Sequence, residues 1–573
     1  MPTLASRLYT HYTQTPERPA LYLLHPKQPD APVTYRALIE GAAGYAQTYA
    51  QAGITPGEVV VLILQHGRAL IDAFYGALLY GAIPAIMPFL TEKLAPDKYR
   101  QELAALVSIT RPAAIVTYAD FAPEAQTALR ADTAGESLDN AADPPLAARA
   151  VIMSETVAPH PQPNPALLRG LQAGPHDLVL LQHSSGTTGL QKGVALANRA
   201  VLNQLEHYAA RLRLTPDDVV VSWLPLYHDM GLIAGFVMPI ICGAPLVLMS
   251  PFDWVRAPAK LMQAVSRYRG TLTWLPNFAY NFCAHKIRAR DLEGVDLASW
   301  RAIINCSEPM RAESHEAFAQ KFQPYGLRPE ALATCYAMAE NVFAVTQGGV
   351  GENVTVDAVD RKALITEKVA RPATPETADV FRALSAGQPL PNVRVRILDD
   401  QRQALAERQV GEIAIHSDCM LTGYYNRPDA TDKAFHAGWY LTGDLGYMAN
   451  GEVYVSGRKK DLIIVGGKNV HPQDLEALAS EVPGIHPGRV VAFGVFDTEA
   501  GTEDVVVVAE ADTEDEAERE RLTSEIRQHI NRGSDVVVRL VQIVGPRWVL
   551  KTSSGKVARA ANREKYVAEQ AAL

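Results

Sequence analysis

The chain has 573 residues, more than one hydrophobic core sustains, so at least two domains are expected. Hydrophobic content of 48% with 20% charged residues excludes a disordered or fibrous chain. The net charge of −9 is spread without a long block of one sign, which argues against a nucleic-acid-binding face but leaves room for a local phosphate pocket.

Met1 to Ala20 shows no basic start followed by an apolar run, so no secretion signal is read there. Thr34 to Gln51 places Leu38, Ala42, Tyr45 and Tyr49 at helical spacing, and Gly53 is positioned to end that helix. Val59 to Leu64 is a continuous apolar run, as a strand covered on both faces should be. A helix over Ala69 to Tyr80, stopped by Gly81, and a strand over Ile83 to Met87 complete a strand–helix–strand unit. Such units argue for parallel pairing with crossover helices. The pattern recurs at Leu178 to Gln182, Asn198 to Leu212, Val219 to Ser222 and Thr271 to Leu275.

The uncharged stretch Met230 to Phe252 could pass for a membrane span. Pro239 and Gly243-Ala244-Pro245 divide it, so a buried helix followed by a buried strand is expected instead. Three regions read as weakly structured: Ala131 to Gly174, Gly348 to Gly387, and the short charged stretch Ser456 to Asp461. Beyond the last, a helix over Pro472 to Ser480, strands at Val490 to Val495 and Val505 to Ala509, a helix over Glu514 to Ile530 and a strand at Val536 to Ile543 describe a small α+β domain. At about 110 residues it is large enough to fold alone. Cys242, Cys283, Cys306, Cys335 and Cys419 are scattered and odd in number, which suits buried thiols in a reducing compartment better than disulfides or a zinc site. A cytoplasmic protein is expected.

The densest chemical signal is Ser184-Ser185-Gly186-Thr187-Thr188-Gly189-Leu190-Gln191-Lys192-Gly193, directly behind a predicted strand. Glycines let the backbone aim several N–H groups at one point, hydroxyls add donors, and a lysine supplies counter-charge, so the loop suits a polyphosphate. It lacks the P-loop spacing. A flexible linker is the alternative, but linkers rarely follow a buried strand directly. The loop resembles the signature of the adenylate-forming superfamily, which holds acyl-CoA synthetases, peptide-synthetase adenylation domains, luciferases and fatty-acyl-AMP ligases. Gln191 stands where that family usually has proline.

Further motifs follow in the family's order. Trp223-Leu224-Pro225-Leu226-Tyr227-His228-Asp229-Met230-Gly231 resembles its aromatic/His motif, which implies that Trp223 and His228 border the acyl channel, His228 as a gate. Cys306-Ser307-Glu308-Pro309 resembles the turn against adenine, with Cys306 replacing a small residue. Tyr336-Ala337-Met338-Ala339-Glu340 resembles the motif whose ring stacks on adenine and whose glutamate holds magnesium; Ala337 replaces glycine. A single carboxylate suits Mg²⁺, which takes its other ligands from phosphate and water. Tyr440-Leu441-Thr442-Gly443-Asp444 matches the ribose motif through Asp444, and Gly457-Arg458-Lys459-Lys460-Asp461 the hinge, with Arg458 on the ribose and Lys460 at the pivot. Lys551-Thr552-Ser553-Ser554-Gly555-Lys556 resembles the final motif, whose lysine contacts the α-phosphate and the acyl carboxylate.

Taken one at a time, each residue has a blander reading: His228 a core histidine, Glu340 a surface carboxylate, Lys459 a solvated charge, Lys556 a solvated lysine in a Ser/Gly-rich tail. Only the shared order of the motifs, from about Thr34 to Arg559, reverses those readings. The resemblance implies an α/β fold: an N-terminal AMP-binding domain of parallel and mixed sheets with flanking helices over 1–458, and a small mobile α+β C-terminal domain over 459–573. It implies ATP and Mg²⁺, and catalytic roles for Lys556, Thr188, Glu340 and His228. ATP or AMP would be bound by Ser184, Ser185, Gly186, Thr187, Thr188, Gly189, Lys192, Ser307, Glu308, Pro309, Tyr336, Ala337, Met338, Asp444 and Arg458.

Pro276-Asn277-Phe278-Ala279-Tyr280 resembles the acyl site of fatty-acyl-AMP ligases, and Val359-Asp360-Arg361-Lys362-Ala363-Leu364 their insertion, which in those enzymes restrains the small domain and disfavours CoA. Pro472-Gln473-Asp474-Leu475-Glu476 and Gly501-Thr502-Glu503-Asp504 point the same way, whereas Gly466-Gly467-Lys468-Asn469-Val470 is closer to the CoA synthetases. The expected function is activation of a medium- or long-chain fatty acid and transfer to a pantetheinylated acyl carrier protein. The alternative is a fatty-acyl-CoA synthetase. An amino-acid-selecting domain would need an acidic pocket residue that the Leu275 to Tyr280 region lacks, and a dead scaffold would not need Thr188, Glu340, Asp444 and Lys556 together.

Overall fold

Val59-Val60-Val61-Leu62 is buried at every position, which a strand achieves only inside a sheet covered on both faces. In the computed structural model it lies within a seven-stranded sheet, and it is parallel to Ile83–Ile86 and Ala114–Thr117. The structure describes residues 2–25, 29–89, 96–133, 150–184, 192–465, 468–497, 502–533, 538–552 and 555–571. Helices Tyr35–Gln51 and Arg68–Tyr80 form as their spacing predicts, and Gly81 ends the second in the left-handed conformation (φ 90°) that glycine adopts without strain.

A second seven-stranded sheet positions the chemistry. Its strands Val220–Ser222, Leu272–Leu275, Ala302–Asn305 and Leu332–Thr334 lie side by side and parallel. Each hands the chain, at its carboxyl end, to one of the motif segments, and the carboxyl edge of a parallel sheet is where open α/β folds bind ligands. The sheet is pinned by buried indoles: Trp274 Nε1 donates to Tyr208 Oη (2.9 Å), which donates to Gln347 Oε1 (2.9 Å), and Trp300 Nε1 donates to Thr273 Oγ1 (3.0 Å). Each indole contributes its area without stranding a donor. The apolar stretch after His228 is a π-helical segment Met230–Val237, a helix Met238–Cys242 and a buried strand Leu246–Met249, as expected. Among the described residues no helix is long and apolar enough to cross a membrane.

A third, antiparallel sheet of Val393–Leu398, Gly411–Ser417, Trp439–Ala449, Phe435–His436 and Glu452–Arg458 carries the ribose and hinge motifs. The C-terminal domain then builds its own core. Along Thr502–Ala511, Val505, Val507 and Ala509 pack with Leu522, Ile526 and Ile530 of helix Glu516–Gly533, while Val506 and Val508 face Tyr566 of helix Arg559–Ala571. The period of two divides one strand between two helices.

The regions read as weakly structured differ from expectation. Within Gly348 to Gly387, Val356–Asp360 and Val380–Leu384 form an antiparallel hairpin, and Val359, Leu364 and Ala383 share a small core with Tyr447 and Tyr454. Within Ala131 to Gly174, Ala150–Met153 is a parallel edge strand, and residues 134–149 lie outside the described residues. Ser456 to Arg458 closes a strand rather than a loop. The stretch read as a tail ends in the helix Arg559–Ala571.

Candidate active site

Along the carboxyl edge of the second sheet, the four strands present Trp223 to Asp229, Pro276 to Tyr280, Cys306 to Pro309 and Cys335 to Glu340 in spatial sequence. A cavity between them is lined by Trp223, Leu224, Pro225, His228, Met230, Pro276, Ser307 and Glu308, and by Lys556 of the C-terminal domain.

Lys556 is held there by local structure. Its N–H donates to Thr552 Oγ1 (3.1 Å), its carbonyl accepts from Thr552 N–H (2.7 Å), and Lys551 bridges to Val557, closing a tight loop. Asn562 clamps that loop from the last helix by hydrogen bonds to both main-chain groups of Leu550 (2.7 and 2.9 Å). Arg559 ties the same helix to Glu476 and Asp461 (2.6 and 2.8 Å). Between the domains, Arg311 Nη2 donates to Gln473 O (3.2 Å) and meets Asp474 (3.4 Å).

The electrostatics follow from this crowding. Burial pushes the Lys556 ammonium down, Asp229 and Glu308 oppose that, and Arg458 adds to it. Burial pushes Glu308 up against the Phe278 N–H it accepts (2.9 Å) and against Lys556. Burial would also raise Asp229, but His228 Nδ1 at 2.7 Å, Lys556 and the Met230 N–H hold it below the ordinary carboxylate value. His228 and Asp229 thus form a fixed pair at the cavity wall.

Behind them, Tyr336 Oη donates to Asp444 Oδ2 (2.6 Å), and Arg458 Nε meets Asp444 Oδ1 (3.2 Å). Lys460 is exposed, but partial burial and neighbouring Arg458 push it down to about 8, with Lys192 acting in the same sense. The Lys192 ammonium lies 4.7 Å over the Tyr424 ring. Tyr424 in turn donates to Glu340 Oε1 (2.9 Å) and meets Tyr440 Oη (2.9 Å). Burial raises Glu340 in spite of the Tyr424 bond. Lys192, Arg458, Lys460 and Lys556 therefore converge on one region, a charge distribution that suits a polyanion. Among the described residues no group of three or more His, Cys, Asp or Glu side chains could hold a metal ion. Glu340 as a lone carboxylate fits Mg²⁺ only if phosphate supplies most of the other ligands.

The backbone is strained beside these groups. Ser307 adopts φ 71°, and Val342, a β-branched residue, adopts φ 62° in a three-residue turn closed by Phe343 N–H on Asn341 O (2.7 Å). Asn341 pins that turn through Nδ2 on Ala344 O (2.7 Å), and Leu421 N–H donates to Glu340 O (2.8 Å). Strain of this kind persists only where the surroundings over-determine it.

Most of the expected residues are thus brought together: Trp223, His228, Ser307, Glu308 and Lys556 on the cavity, and Tyr336, Glu340, Asp444, Arg458, Lys460 and Lys192 beside it. Ala337 and Met338 are half-buried on the segment joining Tyr336 to Glu340, while Pro309 is exposed. Ser184 ends the strand Leu178–Ser184; Ser185, Gly186, Thr187, Thr188 and Gly189 lie outside the described residues. The expected acyl segment is placed differently. Asn277 accepts from Asn305 and from the Arg311 N–H (3.0 and 3.1 Å), Tyr280 donates to Ile303 O (2.9 Å), and Ala279 is fully buried. These three serve the core and not the cavity wall; Phe278 packs edge-on against Trp223 and Trp254. Sequence reasoning missed Tyr424 and Trp254, whose partners are distant along the chain, and Asp229, which lies inside a quoted motif but pairs with its neighbour His228.

This fold, with a small C-terminal domain that brings a lysine to the carboxyl edge of a parallel sheet, defines the class. The chain belongs to the AMP-binding enzyme family, whose model matches residues 8–425. Among its relatives, the long-chain-fatty-acid–AMP ligase FadD26 of Mycobacterium marinum is 30% identical over 91% of each chain. The medium-chain-fatty-acid–[acyl-carrier-protein] ligase JamA of Moorena producens is 32% identical over 68% of each. A solved structure from a study of fatty acyl-adenylate ligases of E. coli and L. pneumophila matches with a TM-score of 0.88 at 28% identity, covering 100% of this chain and 99% of its own.

Proposed function

We propose that this protein activates a fatty acid with ATP to an acyl-adenylate and pyrophosphate, and passes the acyl group to a pantetheinylated carrier protein. The observation that carries this reading is the meeting of Lys556 with His228, Ser307, Glu308 and Trp223 around one cavity beside Tyr336, Asp444 and Arg458. A carboxylate oxygen attacks the α-phosphorus of ATP, the bond to the bridging oxygen breaks, and pyrophosphate leaves with that electron pair. Both reactants are anions, so the work is positioning and charge neutralisation. Lys556 meets the carboxylate and the α-phosphate, Asp444 and Arg458 hold the ribose, and Tyr336 flanks the adenine. No general base is required, because a carboxylic acid is already ionised at neutral pH. Glu340 would hold Mg²⁺, which when bound neutralises phosphate charge; Thr188 and the rest of the glycine–threonine loop would take the outer phosphates.

The domain boundary falls after Arg458, with Lys460 as pivot, and the C-terminal domain swings between adenylation and transfer. The hairpin within 348–387 supports the carrier-protein reading: its turn Ala363–Glu367 lies against strand Lys468–Val470 of the small domain, where it can restrain that swing. The five cysteines are all free, in keeping with the cytoplasm. Supplying the enzyme with a fatty acid, ATP and either CoA or a pantetheinylated carrier protein tests the acceptor. Acyl-carrier formation well above acyl-CoA formation is expected, and efficient acyl-CoA formation would assign the chain to the CoA synthetases.

A further inference from the structure

Trp223 lines the cavity that Lys556 enters, and it is backed by a second indole. Trp223 and Trp254 lie face to face, with ring centroids 3.6 Å apart and planes 6° from parallel. Both are buried, at 4% and 0% exposure. Phe278 meets both rings edge-on, at 6.3 and 6.2 Å, and Phe282 flanks Trp254 at 5.4 Å. Trp254 sits in the short helix Pro251–Arg256, whose entry is fixed by Ser250 Oγ accepting the Phe252 N–H (3.3 Å). Four aromatic rings thus form a packed plate, of which Trp223 is the ring that faces the cavity.

Neither indole N–H has a hydrogen-bond partner. A buried indole normally finds an acceptor. No indole hydrogen bond therefore holds the stack, and an apolar replacement at Trp254 leaves no hydrogen-bonding group stranded.

We propose that the Trp223–Trp254 stack is the end wall of the acyl site and that Trp254 sets the chain-length limit, directing the enzyme to medium-chain fatty acids over long-chain ones. The inference rests on the fatty-acid reading above and narrows it. A chain whose carboxylate is held at Lys556 runs toward Trp223, and length beyond the plate has to displace stacked aromatic surface. An interior close-packed in this way has no spare volume for extra methylenes. Trp254 is not the reacting group's neighbour, so shortening it opens space behind Trp223 without removing any residue at the carboxylate.

The test uses the full-length protein and its variants Trp254→Phe, Trp254→Leu and Trp254→Ala, each assayed for pyrophosphate release across saturated acids from hexanoate to palmitate. The wild type is expected to turn over the shorter acids of this series with higher kcat/KM than palmitate. In the variants the palmitate-to-octanoate ratio of kcat/KM should rise in the order Phe, Leu, Ala, by about tenfold or more at the small end, the scale set by a few methylenes in an apolar pocket. Because the readout is a ratio within each protein, lower stability of the alanine variant does not mimic it, and the Phe and Leu variants carry the test should alanine not fold. A ratio unchanged across the folded variants, or a wild type that prefers palmitate, overturns the wall while leaving the fatty-acid reading intact. Pyrophosphate release that no fatty acid of the series stimulates overturns that reading and the wall with it.

Discussion

Tyr424 offers a sharp test of how the Glu340 carboxylate is tuned. Its hydroxyl donates to Glu340 Oε1 at 2.9 Å, and Tyr424→Phe removes that donor while keeping the ring under Lys192. A hydrogen bond to a charged group contributes about 1.5–3 kcal/mol, equivalent to roughly ten- to hundredfold. Tyr440 Oη lies 2.9 Å from Tyr424 Oη, and its hydrogen bond also favours the ionised form of Glu340, so it takes up part of the loss. The single variant should therefore raise the Mg²⁺ concentration for half-maximal pyrophosphate release about tenfold, and Tyr424→Phe/Tyr440→Phe substantially more. The sign in pH is also fixed. Burial already holds the Glu340 pKa above its ordinary value, and losing a donor to the ionised form raises it further. The acid limb of the pH–rate profile should move to higher pH in the single variant and again in the double. Titrating Mg²⁺ at several pH values measures both effects. Unchanged Mg²⁺ dependence together with an unmoved acid limb would refute the assignment of Glu340 to the metal.

Two further outcomes follow from ion pairs. Asp218 is buried and paired with Arg301 at 2.7 Å, so Arg301→Ala should destabilise the large domain by about 3–5 kcal/mol in denaturant melts. Burial would raise Asp218, but Arg301, the Thr215 N–H and Thr271 hold it below the ordinary value of 3.8; the difference between wild type and variant is therefore full above that pH and shrinks as pH falls through the lower folded-state value. Arg311→Ala removes the contacts to Gln473 and Asp474 that link the domains, and should lower the kcat of adenylation about fivefold with the KM for ATP unchanged, measured by steady-state pyrophosphate release.

What the sequence discloses here divides by the range of the interaction. Asn198–Leu212 and Pro472–Ser480 form helices at the bounds read from periodicity, because an amphipathic face is a local pattern. The resemblance carried by the motif order implies that Lys556, Asp444 and Glu340 share one site, although no spacing rule connects them. The hairpin of Val356–Asp360 and Val380–Leu384 was not legible, since Val356 and Val380 are exposed and the strands bury too little for a period of two to register. Asn277 and Tyr280 carry the acyl motif's letters, yet their polar atoms are used inside the core, by Asn305, Arg311 and Ile303. Trp254 carries no signal in the sequence because its role lies in stacking on Trp223, a contact that exists only once the strands are assembled.

The most direct test of the central claim is exchange of labelled pyrophosphate into ATP by the purified protein with and without a fatty acid, alongside Lys556→Ala. Exchange that depends on the fatty acid and falls by at least about a hundredfold in the variant is predicted, the scale of losing one preorganised charge at the reacting phosphate. Exchange absent with every fatty acid, or equal in the variant, would contradict the account.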